Sequence, residues 1–98
     1  MEKEKTLKTL GLAYRARKVL LGYDTFVEEL KNKKIYCVFS SFLGEEDAYR
    51  KLKNKCEFYN IPLIEGFSPD DFYHIIGKKN IKMLFLIDEG FYKLINNN

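Results

Sequence analysis

Apolar side chains recur along this chain first at helical spacing and then in short continuous runs. Leu7, Leu10 and Tyr14 lie three and four residues apart, which predicts a first helix from about Lys3 to Ala16. Lys18 to Leu21 can run extended, and Gly22 punctuates it. A second helix is expected to start near Tyr23 or Asp24, with Phe26, Val27 and Leu30 as its buried stripe. Asp24 and Thr25 are its candidate N-caps. Ile35 to Ser40 is rich in β-branched and aromatic residues and predicts a buried strand. After Gly44, the acidic turn Glu45-Glu46-Asp47 suits a helix start. Ala48, Leu52, Cys56 and Tyr59 then form an apolar stripe, with Arg50, Lys51, Lys53 and Lys55 mostly off it.

Asn60 can take the left-handed conformation that ends a helix, and Pro62 prevents continuation. Ile61 to Glu65 is the next expected strand. Ser68-Pro69-Asp70-Asp71 then reads as a helix start: a serine cap, a proline where its missing N–H is harmless, and two carboxylates at the positive dipole end. Phe72, Ile75 and Ile76 bury that helix and Gly77 ends it. Lys82 to Ile87 predicts the last strand, and Asp88 caps a final helix with Phe91, Leu94 and Ile95 inward. Helices alternate with apolar strands. The expected fold class is therefore α/β, a three-layer α-β-α sandwich around a small, mostly parallel or mixed sheet of about four strands. The connections favour parallel crossovers and leave room for one antiparallel strand.

The 98 residues fit a single domain over 1–98, with residues 96–98 expected to fray. Hydrophobic residues at 46% are enough for a packed core without staples. No run approaches the roughly 18 apolar residues of a membrane span, and Met1 to Lys8 lacks the apolar stretch of a secretory signal, so the expected location is the cytoplasm. Cys37 and Cys56 are far apart and His74 is the sole histidine. Cys and His alone cannot furnish a zinc site, and both thiols read as buried small hydrophobes. No metal and no cofactor is expected.

A net charge of +3 permits an anionic partner without requiring one. Its distribution is more informative. Basic residues cluster over residues 1–18 (Lys3, Lys5, Lys8, Arg15, Arg17 and Lys18, against two acidic ones), at Lys31, Lys33 and Lys34, and at Lys78, Lys79 and Lys82. Each cluster by itself suits a solvated face, and the three act together only if the fold brings them together.

Catalytic signals are weak. Asp70-Asp71 and Asp88-Glu89 sit at helix starts, where carboxylates cap amides. His74 has no nucleophile nearby in sequence, and the glycines form neither a dinucleotide fingerprint nor a Walker loop. The richest segment runs from Gly11 to Glu29. There a basic turn leads through a short extended piece to Gly22 and a helix start, whose free amides favour phosphate. The same segment also reads as an ordinary helix–strand–helix connection, and the residues alone do not decide between the two.

Five segments in order resemble the YlxQ-like bacterial branch of the L-seven-Ae family, ribosomal proteins that bind kink-turn RNA. The family's opening glycine-leucine-alanine, two variable positions and alanine-glycine-lysine appears as Gly11-Leu12-Ala13-Tyr14-Arg15-Ala16-Arg17-Lys18. The glycine of the second helix start appears as Gly22. Lys55-Cys56-Glu57-Phe58-Tyr59-Asn60-Ile61-Pro62, Ile76-Gly77-Lys78-Lys79 and Ile87-Asp88-Glu89-Gly90-Phe91 match later signatures. The resemblance spans about Thr6 to Ile95. It implies an α-β-α sandwich that binds RNA without catalysis. It places the RNA surface at Gly22, Tyr23, Asp24, Thr25 and Glu28 together with Gly77, Lys78, Lys79 and Lys82, flanked by Lys18, Arg15 and Arg17. Structured RNA, ribosomal RNA in particular, is the implied partner, with ribosomal or other RNA-associated proteins beside it, and a monomer is expected.

The chain departs from the kink-turn readers at specific positions. They carry a basic residue before the glycine, then asparagine and glutamate, and a lysine one turn later. Here Leu21, Asp24, Thr25 and Glu28 stand instead. Asp24 lacks amide donors for a base edge, and Glu28 reverses a charge that would meet phosphate. Ser41-Phe42-Leu43 replaces the family's alanine-serine-aspartate. A second reading follows: a protein-interaction module that kept the fold and lost the RNA. Exposure of Leu20, Leu21, Tyr23, Phe42 and Leu43 would favour it.

Overall fold

A computed structural model describes residues 2–44 and 46–97. The chain alternates α1 (Lys3–Arg15), β1 (Val19–Leu21), α2 (Tyr23–Glu29), β2 (Cys37–Ser40), α3 (Asp47–Phe58), β3 (Leu63–Ile64), α4 (Pro69–Ile76), β4 (Met83–Leu86) and α5 (Glu89–Asn96). Every expected element is present. The strands are shorter than the apolar runs suggest, because flanking residues such as Ile35 and Ile81 are buried without joining the ladder.

The four strands lie in the order β1-β4-β2-β3. β4 runs antiparallel to both β1 and β2, while β2 and β3 are parallel. The sheet is therefore mixed, with one reversed strand, and not mostly parallel when its pairings are counted. β4 closes the middle of the sheet last. Its four residues are all buried, as a central strand covered on both faces requires.

Alternation along the strands sorts the core into two layers. Leu84 and Leu86 join Val19, Cys37 and Phe39 on one face, beneath Leu10 and Ala13 of α1, Phe72 of α4 and Ile95 of α5. Met83 and Phe85 join Val38 on the other face, beneath Phe26 of α2 and Leu52 and Cys56 of α3. Phe26 meets Phe85 edge to face at 5.5 Å, which joins α2 to the sheet.

Local chemistry sets several boundaries. Ser68 Oγ accepts from the Asp71 amide while Asp71 Oδ2 accepts from the Ser68 amide, a reciprocal cap at α4. Asp88 Oδ2 accepts from the Phe91 amide and opens α5. Asn60 ends the α3 region at φ 56. Arg17 takes φ 63 just past α1, where the family pattern has glycine.

Some expectations fail. The N-cap of α2 is Gly22, and neither Asp24 nor Thr25 caps it. Gly22 adopts φ 90 and ψ 151, and the helix begins directly from that bend. Ala48, Tyr59 and Leu94 are exposed, because α3 and α5 bury narrower stripes than assumed. Asn96 is the last residue of α5, while Glu45 and Asn98 lie outside the described residues.

Candidate nucleic-acid interface

The α2 start and the loop before β4 meet at one end of the sheet. The Gly22 amide donates to the Met83 carbonyl at 3.3 Å, which extends the β1–β4 ladder by one step. Beside this step lies a hollow of about 490 Å³. Gly22, Tyr23, Phe42, Asn80, Ile81 and Lys82 contribute to its wall. The two separate segments expected to cooperate thus share one surface.

Gly22 is required there by backbone geometry. At φ 90 and ψ 151 it occupies a region open essentially to glycine alone, although a Cβ would meet nothing within 4 Å. No side chain caps the first turn of α2, so its amides face outward from Tyr23, Asp24 and Thr25. Tyr23 is half-buried and its ring sits 6.3 Å from that of Phe26, which is locked in the core. Asp24, Thr25 and Glu28 are exposed along α2 and do not line the hollow.

The loop from Gly77 to Lys82 is shaped by two left-handed residues, Gly77 at φ 82 and Asn80 at φ 62. A pair of buried serines holds its far end. Ser41 Oγ donates to the Ile81 carbonyl at 2.7 Å, and the Ser41 amide donates to the Lys82 carbonyl at 2.9 Å. Ser40 Oγ accepts from the Phe42 amide at 3.1 Å. Lys82 is therefore anchored by its backbone while its side chain is exposed. Lys79 faces a separate, smaller hollow of about 260 Å³ with Asp70 and Tyr73 of α4. Lys78 is exposed on the same loop. Lys78, Lys79 and Lys82 form no ion pair among the described residues, whereas Lys3, Lys33 and Lys93 pair with Asp71, Glu29 and Glu89.

The flanking basic residues do not join this end. The Lys18 carbonyl accepts from the Ile87 amide, past the far end of β4. Four residues of extended chain separate Lys18 from Gly22, roughly 13 Å. Arg15 and Arg17 adjoin Lys18. The Lys31, Lys33 and Lys34 cluster lies toward that end too, because Tyr36 donates its amide to the Leu86 carbonyl. Arg15, Arg17 and Lys18 of the first basic cluster and the whole of the second therefore gather opposite the hollow.

Asn80 and Ile81 fall within the Gly77 to Lys82 loop that the resemblance implied, and Ser40 is the participant that sequence reasoning missed. Two serines closing an apolar strand were the available signal.

The titratable groups give little support for catalysis. Burial pushes the Cys37 thiol up to about 12 and the Cys56 thiol up to about 11, so both stay neutral in water near pH 7. The hydrogen bond to the Asp70 carbonyl and the Asp70 charge raise His74, which is exposed on α4. No group of three or more His, Cys, Asp or Glu is placed to hold a metal among the described residues. No helix there is long and apolar enough to cross a membrane.

The model of the Ribosomal protein L7Ae/L30e/S12e/Gadd45 family matches residues 4–95. The chain belongs to this family. It is 32% identical over 91 residues to the RNA-binding protein YlxQ of Enterococcus faecium, covering 93% of this chain and 87% of that protein. It is also 32% identical over 82 residues to the RNA-binding protein YlxQ of Bacillus subtilis (strain 168), covering 84% and 82%. A solved Bacillus halodurans C protein of unknown function superposes with a TM-score of 0.83 at 30% identity, over 95% of this chain and 94% of that one. These YlxQ-like relatives and the family fold agree with the resemblance drawn from the five segments.

Proposed function

We propose that this chain binds structured RNA without catalysing a reaction, through the hollow between the α2 start and the loop before β4. The observation that carries the reading is the meeting of Gly22, Tyr23 and Lys82 around one cavity, with a helix turn that no side chain caps on one side and Lys82, which forms no ion pair among the described residues, on the other. Backbone amides and a lysine suit phosphate, and a hollow beside them suits an unstacked base. Both YlxQ relatives are named RNA-binding proteins, which supports the class of ligand.

A kink-turn in ribosomal RNA is the proposed target, met by a monomer in the cytoplasm, with ribosomal proteins as neighbours. Recognition through amides accommodates Asp24, Thr25 and Glu28, because amides do not depend on side-chain identity. Lys78 and Lys79 contact backbone around the hollow. Arg15, Arg17 and Lys18 serve, at most, a second and more distant stretch of backbone. His74 is exposed and both thiols are buried, so neither thiol pairs with the histidine as nucleophile and base.

The alternative, a protein-interaction module, draws on Leu43, which is 77% exposed. Leu20, Leu21, Tyr23 and Phe42 are half-buried and pack against the core clusters, so most of the apolar edge is structural.

Filter-binding titrations with a kink-turn RNA, a plain duplex of equal length and a single strand, each at two salt concentrations, test the proposal. Preference for the kinked RNA near physiological salt is expected. Equal, salt-sensitive binding to all three would reduce the function to generic attraction. No binding would favour the protein-partner reading.

A further inference from the structure

A second groove, of about 460 Å³, lies between α2 and α3. Tyr23, Lys51, Asn54, Lys55, Phe58 and Tyr59 line it. Lys51, Asn54, Lys55 and Phe58 recur three and four residues apart, so they form one stripe on α3. This stripe is not the core face, which carries Leu52 and Cys56. Phe58 is 78% exposed and Tyr59 47%, and their rings meet edge to face at 5.1 Å. Two adjacent exposed aromatics are unusual on a water-facing helix end and point to a ligand.

The chemistry of the wall narrows that ligand. Lys51 and Lys55 make no ion pair among the described residues, and no carboxylate lines the groove. Lysines interleaved with aromatic rings are the pattern that holds single-stranded nucleic acid, with cations on the backbone and rings under the bases. Tyr23 belongs both to this groove and to the hollow beside Gly22, so the two surfaces are continuous around one side chain. Its packing against Phe26 keeps that shared wall in place.

We infer that the α2–α3 groove binds a single-stranded RNA segment leaving the structured element held at Gly22 and Lys82, with Phe58 stacking on an unpaired base. The inference rests on the proposed RNA-binding function and adds a second recognition element to it. Lys51 and Lys55 neutralise phosphates of that strand, and Asn54 offers hydrogen bonds to sugar or base.

The test uses the full chain and three RNAs: a kink-turn RNA, the same RNA with a single-stranded adenosine extension, and a free adenosine strand. Fluorescence anisotropy is read for the unaltered protein, Phe58→Ala and Phe58→Trp, with thermal melts to check folding. The extension is expected to raise affinity about tenfold, the gain expected from stacking of even one base. Phe58→Ala removes that gain without changing affinity for the unextended RNA, and Phe58→Trp restores it. An extension that adds nothing to a tightly bound kinked RNA overturns the groove alone. A gain that survives Phe58→Ala does the same. Phe58-dependent binding of the adenosine strand, with no binding of the kinked RNA, overturns the proposed function and keeps the groove. Binding of none of the three overturns both.

Discussion

At one end of the sheet, Lys82 is held by two hydrogen bonds from Ser41 to the Ile81 and Lys82 carbonyls, beside Gly22 and an uncapped helix turn. At the other end, Arg15 closes α1, Arg17 and Lys18 follow it around a left-handed turn, and Lys31 to Lys34 follow α2. Both ends are basic, and the second holds more cations. Charge alone would therefore favour the second end. What separates them is the backbone: the hollow at the first end adjoins a helix start without a side-chain cap and a clamped loop, while the hollow of about 360 Å³ at the second, lined by Lys34, Tyr36 and Glu89, adjoins a helix start already capped by Asp88. Recognition of a shaped RNA needs positioned donors, and two cations of the second end are already engaged, Lys33 with Glu29 and Lys34 over the Tyr36 ring.

The largest effect should come from stripping each end in turn. Replacing Lys78, Lys79 and Lys82 together with alanine is expected to lower affinity for a kink-turn RNA by about a hundredfold and to flatten its salt dependence by up to about three ion equivalents. The matching Arg15, Arg17 and Lys18 variant should change affinity less than about threefold. Titrations at several salt concentrations read both quantities, and equal losses would erase the distinction between the ends.

Next comes the clamp. Ser41→Ala leaves the buried Ile81 carbonyl without its side-chain donor, which should destabilise the fold by ~1–3 kcal/mol in urea unfolding. It should also weaken kinked RNA more than plain duplex, because the loop loses its position and not its charge. A parallel fall for both RNAs would contradict a positioning role.

Arg17→Gly acts on the opposite end. Arg17 holds φ 63, which disfavours a residue with a Cβ by ~1 kcal/mol, partly offset by glycine's greater unfolded freedom. Stability should rise by a few tenths of a kcal/mol, and RNA affinity should stay within about twofold. A tenfold fall in affinity would place Arg17 in the interface.

The smallest effect concerns pH. Burial pushes the Asp71 carboxyl up, but the Lys3 side chain and the Ser68 amide outweigh it and hold the group below the usual carboxylate range. A lowered folded value means that its stabilisation is present above the unfolded pKa and is lost as pH falls through the folded one. Asp71→Asn should shrink the acid loss of stability seen by circular dichroism. His74 shifts the other way: the Asp70 carbonyl and carboxylate raise it, so any contribution is full at low pH and fades as pH rises through the folded value. Neither residue lies beside Gly22, so RNA affinity should follow neither titration.

The fold was largely legible because its signals are local. Ser68, Pro69 and Asp71 sit within four residues and define the start of α4 by themselves. The nearly continuous apolar runs of β2 and β4 announced strands covered on both faces. The site was legible only in part, since it depends on register. Lys18 and Lys82 look equally close to the helix start until β4 is seen to run against β1, which carries Lys18 to Ile87 and Gly22 to Met83. The cap of α2 was missed for a similar reason. Asp24 and Thr25 have capping side chains, but Gly22, with its unusual backbone, is the N-cap two and three residues ahead of them. Leu94 misled because a helix packed against one layer buries a stripe narrower than its apolar positions allow.

Amide chemical shifts of the full chain during titration with a kink-turn RNA test the central claim most directly. The account predicts perturbations concentrated at Gly22, Tyr23, Asp24, Thr25 and Asn80 to Lys82, with Arg17, Lys18 and Lys34 nearly unmoved. Shifts concentrated at Arg17, Lys18 and Lys34 instead would contradict it.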